Sequence, residues 1–426
     1  MKIRVSLLYF FLFLVIPLGF SGTGLAQLKA GEPVLIGVPT FLGSIEGGES
    51  LKAVTMAVEE INARGGVTIK GSKHPLKVEA SEIRDGAPGV PVPEALMGIE
   101  KIILDKKVHA IVVGPFRSEA LLATMDILAK YKVPMLGTIA MTPASEKKVT
   151  DEPDKYKYVF RSSINAAYLV GYLNGTLGFL NKEFGFKKVF FMVQDVLWAR
   201  GTAAGVEAWC KREGWEILGM ETFPTGAGDF SSALLKAQSS GAQIIMPIFD
   251  MPTSGILVRQ WNSMRVPALM AGFISPLAGP GAWKTFEGRI EGALNAIFEV
   301  GNIPVPKIPK SVQFHEAYKK RWGVELESGH GPAPSYDSVY LLAEAIEKAG
   351  SVDPDAIVAE LQKTDRTGAI GRIKFSKGQQ VIYGFDPKDA ALGCVYQWRD
   401  GKRVIVYPEA VADSKIQLPP GLKSAK

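Results

Sequence analysis

Val108 to Thr124 reads VHAIVVGPFRSEALLAT. Ala110 to Val113 is short, apolar and largely β-branched, and Gly114-Pro115 follows at once, so the run is expected to be a buried strand of a parallel sheet. A helix-like segment begins near Ser118. Open α/β sheets bind ligands beyond the carboxyl ends of their strands, which puts Ser118 where a helix starts beside a cleft. Its hydroxyl, with the free N–H groups of the first turn, would hold an anion, most naturally a carboxylate. The competing reading is that Ser118 is only the N-cap of that helix.

Outward from this stretch the same rhythm repeats. Strands are expected at Val34–Val38, Leu76–Glu82 and Pro134–Gly137, with helices at Ser50–Arg64, Pro93–Asp105 and Glu119–Tyr131 between them. From Ala166 a second set follows: helix Ala166–Phe184, strand Lys188–Val193, helix Gly201–Glu213, strand Trp215–Phe223, helix Phe230–Ser239, strand Gln243–Phe249, helix Ser254–Ser263 and strand Pro267–Ala271. Alternation of this kind means α/β architecture with parallel sheets. After a Pro-rich link at Ile303 to Pro309 come helices at Ser311–Arg321, Tyr336–Ala349 and Pro354–Lys363, the last with Asp353 as cap and Pro354 at its first position. Strands return at Arg372–Phe375, Cys394–Arg399 and Arg403–Tyr407, the last two joined through Asp400-Gly401 as a tight hairpin.

The first 26 residues have the three parts of a secretory signal: Lys2 and Arg4, an apolar run from Leu7 to Phe20, and small residues ending at Ala26. The run is shorter than the roughly 20 residues that span a bilayer, so cleavage near Ala26 and release to the periplasm are expected. Losing Lys2 and Arg4 takes the formal net charge from +6 to +4. The remaining basic residues are dispersed and lack interleaved aromatics, so nucleic acid is not indicated. A chain this long and 47% apolar exceeds one core and implies two domains. Cys210 and Cys394 have no metal-ligand spacing; in an oxidising compartment the two could pair, although one lies on an expected helix and the other opens an expected strand.

Motifs of catalysis are missing: there is no Walker A loop, no G-x-S-x-G elbow, no H-E-x-x-H and no C-x-x-C. His74, His109, His315 and His330 are scattered and read as surface or loop residues. The acid pairs Glu59-Glu60, Glu94/Glu100 and Asp151-Glu152 read as solvated faces. No cofactor, metal or enzymatic activity is expected.

Five phrases then stand in a meaningful order: AVEEINARGG at Ala57–Gly66, G-x-x-x-S at Gly114–Ser118, VFR at Val159–Arg161, GDFSSAL at Gly228–Leu234 and YDSVYLLAEAIEKAG at Tyr336–Gly350. Over nearly its whole mature length the chain resembles the type I periplasmic solute-binding proteins of the branched-chain amino acid branch. The resemblance implies two doubly wound parallel-sheet lobes joined by a three-crossover hinge, with lobe one at 31–160 plus 299–380 and lobe two at 161–298 plus 381–426. It further implies a monomer that closes on a small solute and passes it to the permease subunits of an ABC importer, meeting the membrane only through that transporter.

In such amino-acid binders the serine of the G-x-x-x-S turn holds the ligand carboxylate, which carries over to Ser118. The family threonine before the next Ser/Asn-Pro falls at Met141, leaving backbone groups of Ile139 and Met141, with Thr138 or Thr142 as substitute hydroxyls. Trp198 stands at a cleft tyrosine, Asn165 at an acidic residue after the FR pair, and Glu46 and Asp250 at two further tyrosine positions. The glutamate that would pair an amino group falls at Ile274. An unpaired ammonium in a closed cleft costs several kcal/mol, so either Asp250 or Glu46 takes it from another direction, or the solute is an acid without an amino group, stacked on Trp198. An aromatic acid, an amide, and a periplasmic sensing module with the same cleft are the alternatives kept open. Trp198 as plain core and Asp250 or Asn165 as helix caps are the competing structural readings.

Overall fold

The computed structural model describes residues 28–419 and 421–426; the expected export signal at 1–26 lies outside them. The first sheet is built from β1 (Val34–Thr40), β4 (Leu76–Glu82), β5 (Ala110–Val113), β6 (Met135–Gly137) and β7 (Val159–Arg161), all parallel, in the order β4-β1-β5-β6-β7. A hairpin of β2 (Val67–Ile69) and β3 (Ser72–His74) stands apart from it. Successive strand side chains point to opposite faces, and here both faces are covered. Ile36, Val38 and Val112 pack with the helix Ile45–Ala63, while Ile111, Met135 and Val159 pack with the helices Val92–Lys106 and Ser118–Tyr131. That is why the Ala110–Val113 run is apolar throughout rather than alternating.

The second sheet has the order β18-β17-β12-β11-β10-β8-β9. β8 (Lys188–Gln194), β9 (Glu216–Phe223), β10 (Ile244–Phe249), β11 (Leu269–Ile274) and β12 (Leu294–Ile297) are parallel. The remaining edge is antiparallel: β17 (Cys394–Arg399) joins β12 antiparallel and turns back into β18 (Lys402–Tyr407). The expected tight hairpin is present, with Asp400 at φ 46° and Gly401 at φ 77°, both in the left-handed region such turns demand. Four short strands, β13 (Asp365–Gly368), β14 (Gly371–Lys374), β15 (Tyr383–Gly384) and β16 (Ala391–Leu392), make a small sheet preceding that edge. Cys210 and Cys394 are both buried and unpaired. None of the helices among the described residues is long and apolar enough to cross a membrane.

Two helix starts differ from expectation in ways that move functional residues. The first helix begins at Ile45, not Ser50, because the Ser44 side chain caps it by accepting from the Gly47 amide at 2.9 Å; Glu46 thereby enters the first turn. The helix expected from Gly201 begins at Leu197. A mid-helix glycine costs about 1 kcal/mol, but burial of Trp198, Ala199 and Thr202 on one face outweighs it.

The chain leaves the first sheet after Arg161, returns after Ile297, and crosses again before Cys394. The first and third crossings pair with each other: the Arg161 amide donates to Gln379 and its carbonyl accepts from Val381, each at 2.9 Å. Glu299 ties in the second. Its carboxylate, without solvent exposure, accepts from the Ile164 amide at 3.1 Å, the Gly331 amide at 3.1 Å, Asn302 Nδ2 at 2.9 Å and His330 Nδ1 at 3.0 Å. Glu299→Ala should therefore cost about 3–5 kcal/mol of folding free energy, as expected when one partner of a buried ion pair is removed. Chemical denaturation of parent and variant measures it; a loss below about 1 kcal/mol would show that this carboxylate does not tie the crossings.

Candidate functional site

In each sheet the strand order reverses direction once, between β1 and β5 in the first and between β8 and β10 in the second. Connections leave such a point on opposite faces, opening a crevice beyond the strand ends. Here the two crevices face each other across a narrow cavity of about 10 Å³, room for little more than one water. From the first sheet come Glu46 after β1, Phe116 after β5, and Ile139 and Met141 after β6. From the second come Trp198 after β8, Asp250 after β10, Phe273 on β11 and Phe298 after β12, with His330 at the crossing. Bonds between the two sides hold this arrangement. The Ser275 hydroxyl donates to Glu46 Oε1, Arg117 Nη2 reaches Thr225 Oγ1 at 2.9 Å, and the Leu197 amide donates to Glu119 Oε1 at 3.1 Å.

The geometry sorts the sequence-derived residues into two groups. Glu46, Ile139, Met141, Trp198 and Asp250 line the cavity; Ser118, Thr142 and Asn165 do not. Asn165 caps the helix Ala166–Phe184, accepting from the Tyr168 amide at 2.9 Å while its Nδ2 donates to Glu146 at 2.7 Å. Thr142 Oγ1 accepts from the Ala144 amide at 3.2 Å, and Thr138 Oγ1 bonds Ser335 at 2.7 Å, so both substitute hydroxyls serve the protein itself. The carbonyls are spent too: Ile139 O accepts from His330 and Met141 O from the Ala166 amide at 2.9 Å. Ile274 is fully buried at the end of β11.

Ser118 is not the cap. Arg117 holds that position, and Ser118 opens the helix with its hydroxyl buried and bonded to no protein atom among the described residues. The loop before it is held under strain. Val113, a β-branched residue, sits at φ 80°, a conformation such side chains rarely adopt. Asp85 fixes the far side, its Oδ2 accepting from the Phe116 and Arg117 amides at 2.8 and 2.9 Å. Burial, against those two bonds, raises its carboxyl to about 6. Nothing in the sequence singled out Asp85; a lone aspartate before a Gly-Ala-Pro turn carries no motif.

Trp198 and Asp250 form a unit, the indole Nε1 donating to Asp250 Oδ2 at 2.6 Å, with Phe273 and Phe298 edge-on to the indole, each at a centroid distance of 6.1 Å. Glu46 is 3% exposed, and burial raises its carboxyl from 4.5 to about 7; the Ser275 bond, its own backbone amide and the His330 charge oppose the shift and nearby Asp250 adds to it. His330 corrects the surface reading, being 5% exposed; His74 and His315 are buried as well. Its Nε2 lies 2.7 Å from Ile139 O and its Nδ1 on the Glu299 carboxylate. Both neighbours are acceptors, so both ring nitrogens carry protons and the ring is an imidazolium. Burial pulls its pKa down, but the charge and bond of Glu299 and the Ile139 carbonyl together hold it above the usual value. Spacing hid this residue, because its partners lie 31 and 191 positions away.

The raised Glu46 carboxyl has a consequence of definite sign. Between about pH 4.5 and 7 the folded protein keeps a proton that the unfolded chain has released, so this group's contribution to stability is fully present below 4.5 and declines as pH rises to about 7. Glu46→Gln, which retains an acceptor for Ser275, should remove that decline and gain on the parent by a few kcal/mol at most across this window. Melting temperatures of both proteins from pH 4 to 8 test it; superimposable profiles would show that Glu46 ionises as an ordinary surface carboxylate.

Known proteins agree with this architecture. The leucine binding protein LivK from Thermotoga maritima superposes with a TM-score of 0.70 at 22% identity, covering 87% of this chain and 97% of that one. The branched-chain amino acid transporter substrate binding protein LivJ from Streptococcus pneumoniae, solved in complex with isoleucine, gives 0.71 at 22% identity, covering 88% and 100%. At that identity the likeness speaks for the fold. In sequence, the Leu/Ile/Val-binding protein homolog 7 of Brucella suis biovar 1 (strain 1330) is 25% identical over 389 residues, 88% of this chain and 90% of its own length. The family model for periplasmic binding proteins matches residues 40–384. The chain belongs to the periplasmic binding protein family.

Proposed function

We propose that the protein is an extracytoplasmic receptor of an ABC importer that closes on a small carboxylate-bearing solute, an amino acid or a related organic acid. The observation that carries this reading is the cavity enclosed where the switch points of two sheets face each other, on the side where α/β sheets bind ligands. The orphaned Ser118 hydroxyl, two residues past the cavity-lining Phe116 and at the start of a 14-residue helix, supports a carboxylate anchor. Relatives named as Leu/Ile/Val-binding protein homologs support the amino-acid class. The moving bodies in this proposal are 31–160 plus 299–380 and 161–298 plus 381–426, hinged at the three crossings, with 1–26 removed on export.

A thermal-shift screen of the protein against amino acids, aromatic acids, short-chain acids and amides tests the receptor role. A solute at 100 times its dissociation constant should stabilise by about 2.7 kcal/mol, and small-angle scattering with that solute should show a smaller radius of gyration than without it. Ser118→Ala, titrated calorimetrically with the same solute, should lose about 1.5–3 kcal/mol of binding, or about 10- to 150-fold in affinity. Undiminished binding by that variant would remove Ser118 from the site.

A further inference from the structure

The charges around the cavity do not balance. Of the three ionisable residues that line it, His330 is positive; its charge is shared between Glu299, bonded behind it, and Glu46 beside it, and its second proton is given to the Ile139 carbonyl. Glu46 and Asp250 remain. Among the described residues neither forms an ion pair within 4 Å, and the lining contains no lysine or arginine. Arg161, a buried guanidinium outside the lining, turns its terminal nitrogens to Thr142, Ser163 and Ile164. Each carboxylate takes one neutral donor, Ser275 on Glu46 and the Trp198 indole on Asp250. The second oxygen of Asp250 has no protein donor among the described residues.

The two carboxylates also come from opposite sides of the cleft. Glu46 stands in the first turn of the helix that follows β1, Asp250 directly after β10. Closing the cleft therefore brings two acids into one low-polarity space walled by Phe116, Trp198, Phe273 and Phe298. Like charges so placed repel, and burying a carboxylate without a counter-charge is expensive. A cation between them reverses the sign of both effects, and the ring faces favour it further.

We propose that Glu46 and Asp250 form a two-sided seat for a cationic nitrogen, so that the solute is an amine-bearing molecule whose positive charge staples the two sides of the cleft together. This rests on the receptor reading and narrows it: among the solutes that reading admits, acids without a basic nitrogen are excluded. It also accounts for the loss of an acid at Ile274, since the seat is supplied from two other positions. A proton held on Glu46 is released when the ligand cation takes its seat.

The experiment is a charge series on one carbon skeleton, measured by calorimetric titration at pH 7.5: 3-methylbutylamine, L-leucine and 4-methylpentanoic acid, against the parent, Glu46→Gln and Asp250→Asn. Both substitutions keep an acceptor for Ser275 or the indole while removing charge. The expected result is binding of the amine, the amino acid or both, at least 10-fold tighter than the acid, with each variant losing 10-fold or more for the nitrogen compounds and nothing for the acid. Proton release on binding, read as a dependence of the heat on buffer ionisation enthalpy, should accompany it and vanish in Glu46→Gln. If the acid binds as tightly as the nitrogen compounds, or the variants hold them undiminished, the seat is wrong. If only nitrogen-free solutes from the wider screen bind, the seat is wrong and the receptor reading stands. If no solute of any class binds, both fall.

Discussion

The Glu299 carboxylate is the contact on which the arrangement of the cleft depends. It is fully buried, yet it gathers the amide of Ile164 from the first crossing, the amide of Gly331 and the imidazolium of His330 from the return, and Asn302 beside it. A buried charge is tolerated only when so completely bonded. The consequence is geometric. His330 is fixed by Glu299 on one nitrogen and grips the Ile139 carbonyl with the other, so the hinge is bonded directly to a loop that lines the cavity.

The polar groups in and around the cavity repeat that economy. Thr142, Thr138, Asn165 and the carbonyls of Ile139 and Met141 are all committed to protein partners. Uncommitted among the described residues are the Thr40 and Ser118 hydroxyls, the second oxygen of Asp85 and the second oxygen of Asp250, while Glu46 keeps Ser275 as its one side-chain donor. Buried polar groups ordinarily find partners, so groups left over at strand ends mark where a ligand's own polar atoms would go. Strain points to the same place, since Val113 holds a positive φ at the end of β5, four residues before Arg117 caps the next helix.

Much of this was legible in the residues. Ala110–Val113, Leu76–Glu82, Cys394–Arg399 and the helix Ala166–Phe184 fall where their apolar patterns place them, because burial on one or both faces writes a period into the sequence. The Asp400-Gly401 turn was readable for a different reason, its backbone demanding two positive φ values. Boundaries set by a single bond were not. Ser44 capping through the Gly47 amide moves Glu46 into a helix, and the buried face beginning at Trp198 overrides the glycine at 201.

Sequence alone determined the elements, their α/β alternation and the two sets of strands, and it named Glu46, Trp198 and Asp250 among the candidate cleft residues. Only the tertiary structure decided which of those residues meet. Trp198 and Asp250 are 52 positions apart, Glu46 and Ser275 are 229 apart, and His330 reaches back 191 to Ile139. Local pattern reports the period of an element and the chemistry of its ends, whereas a charge is neutral, paired or left over only by virtue of what long-range packing sets beside it. For that reason the imidazolium at His330 and the unbalanced acids at Glu46 and Asp250 belong to the fold and not to any stretch of the chain.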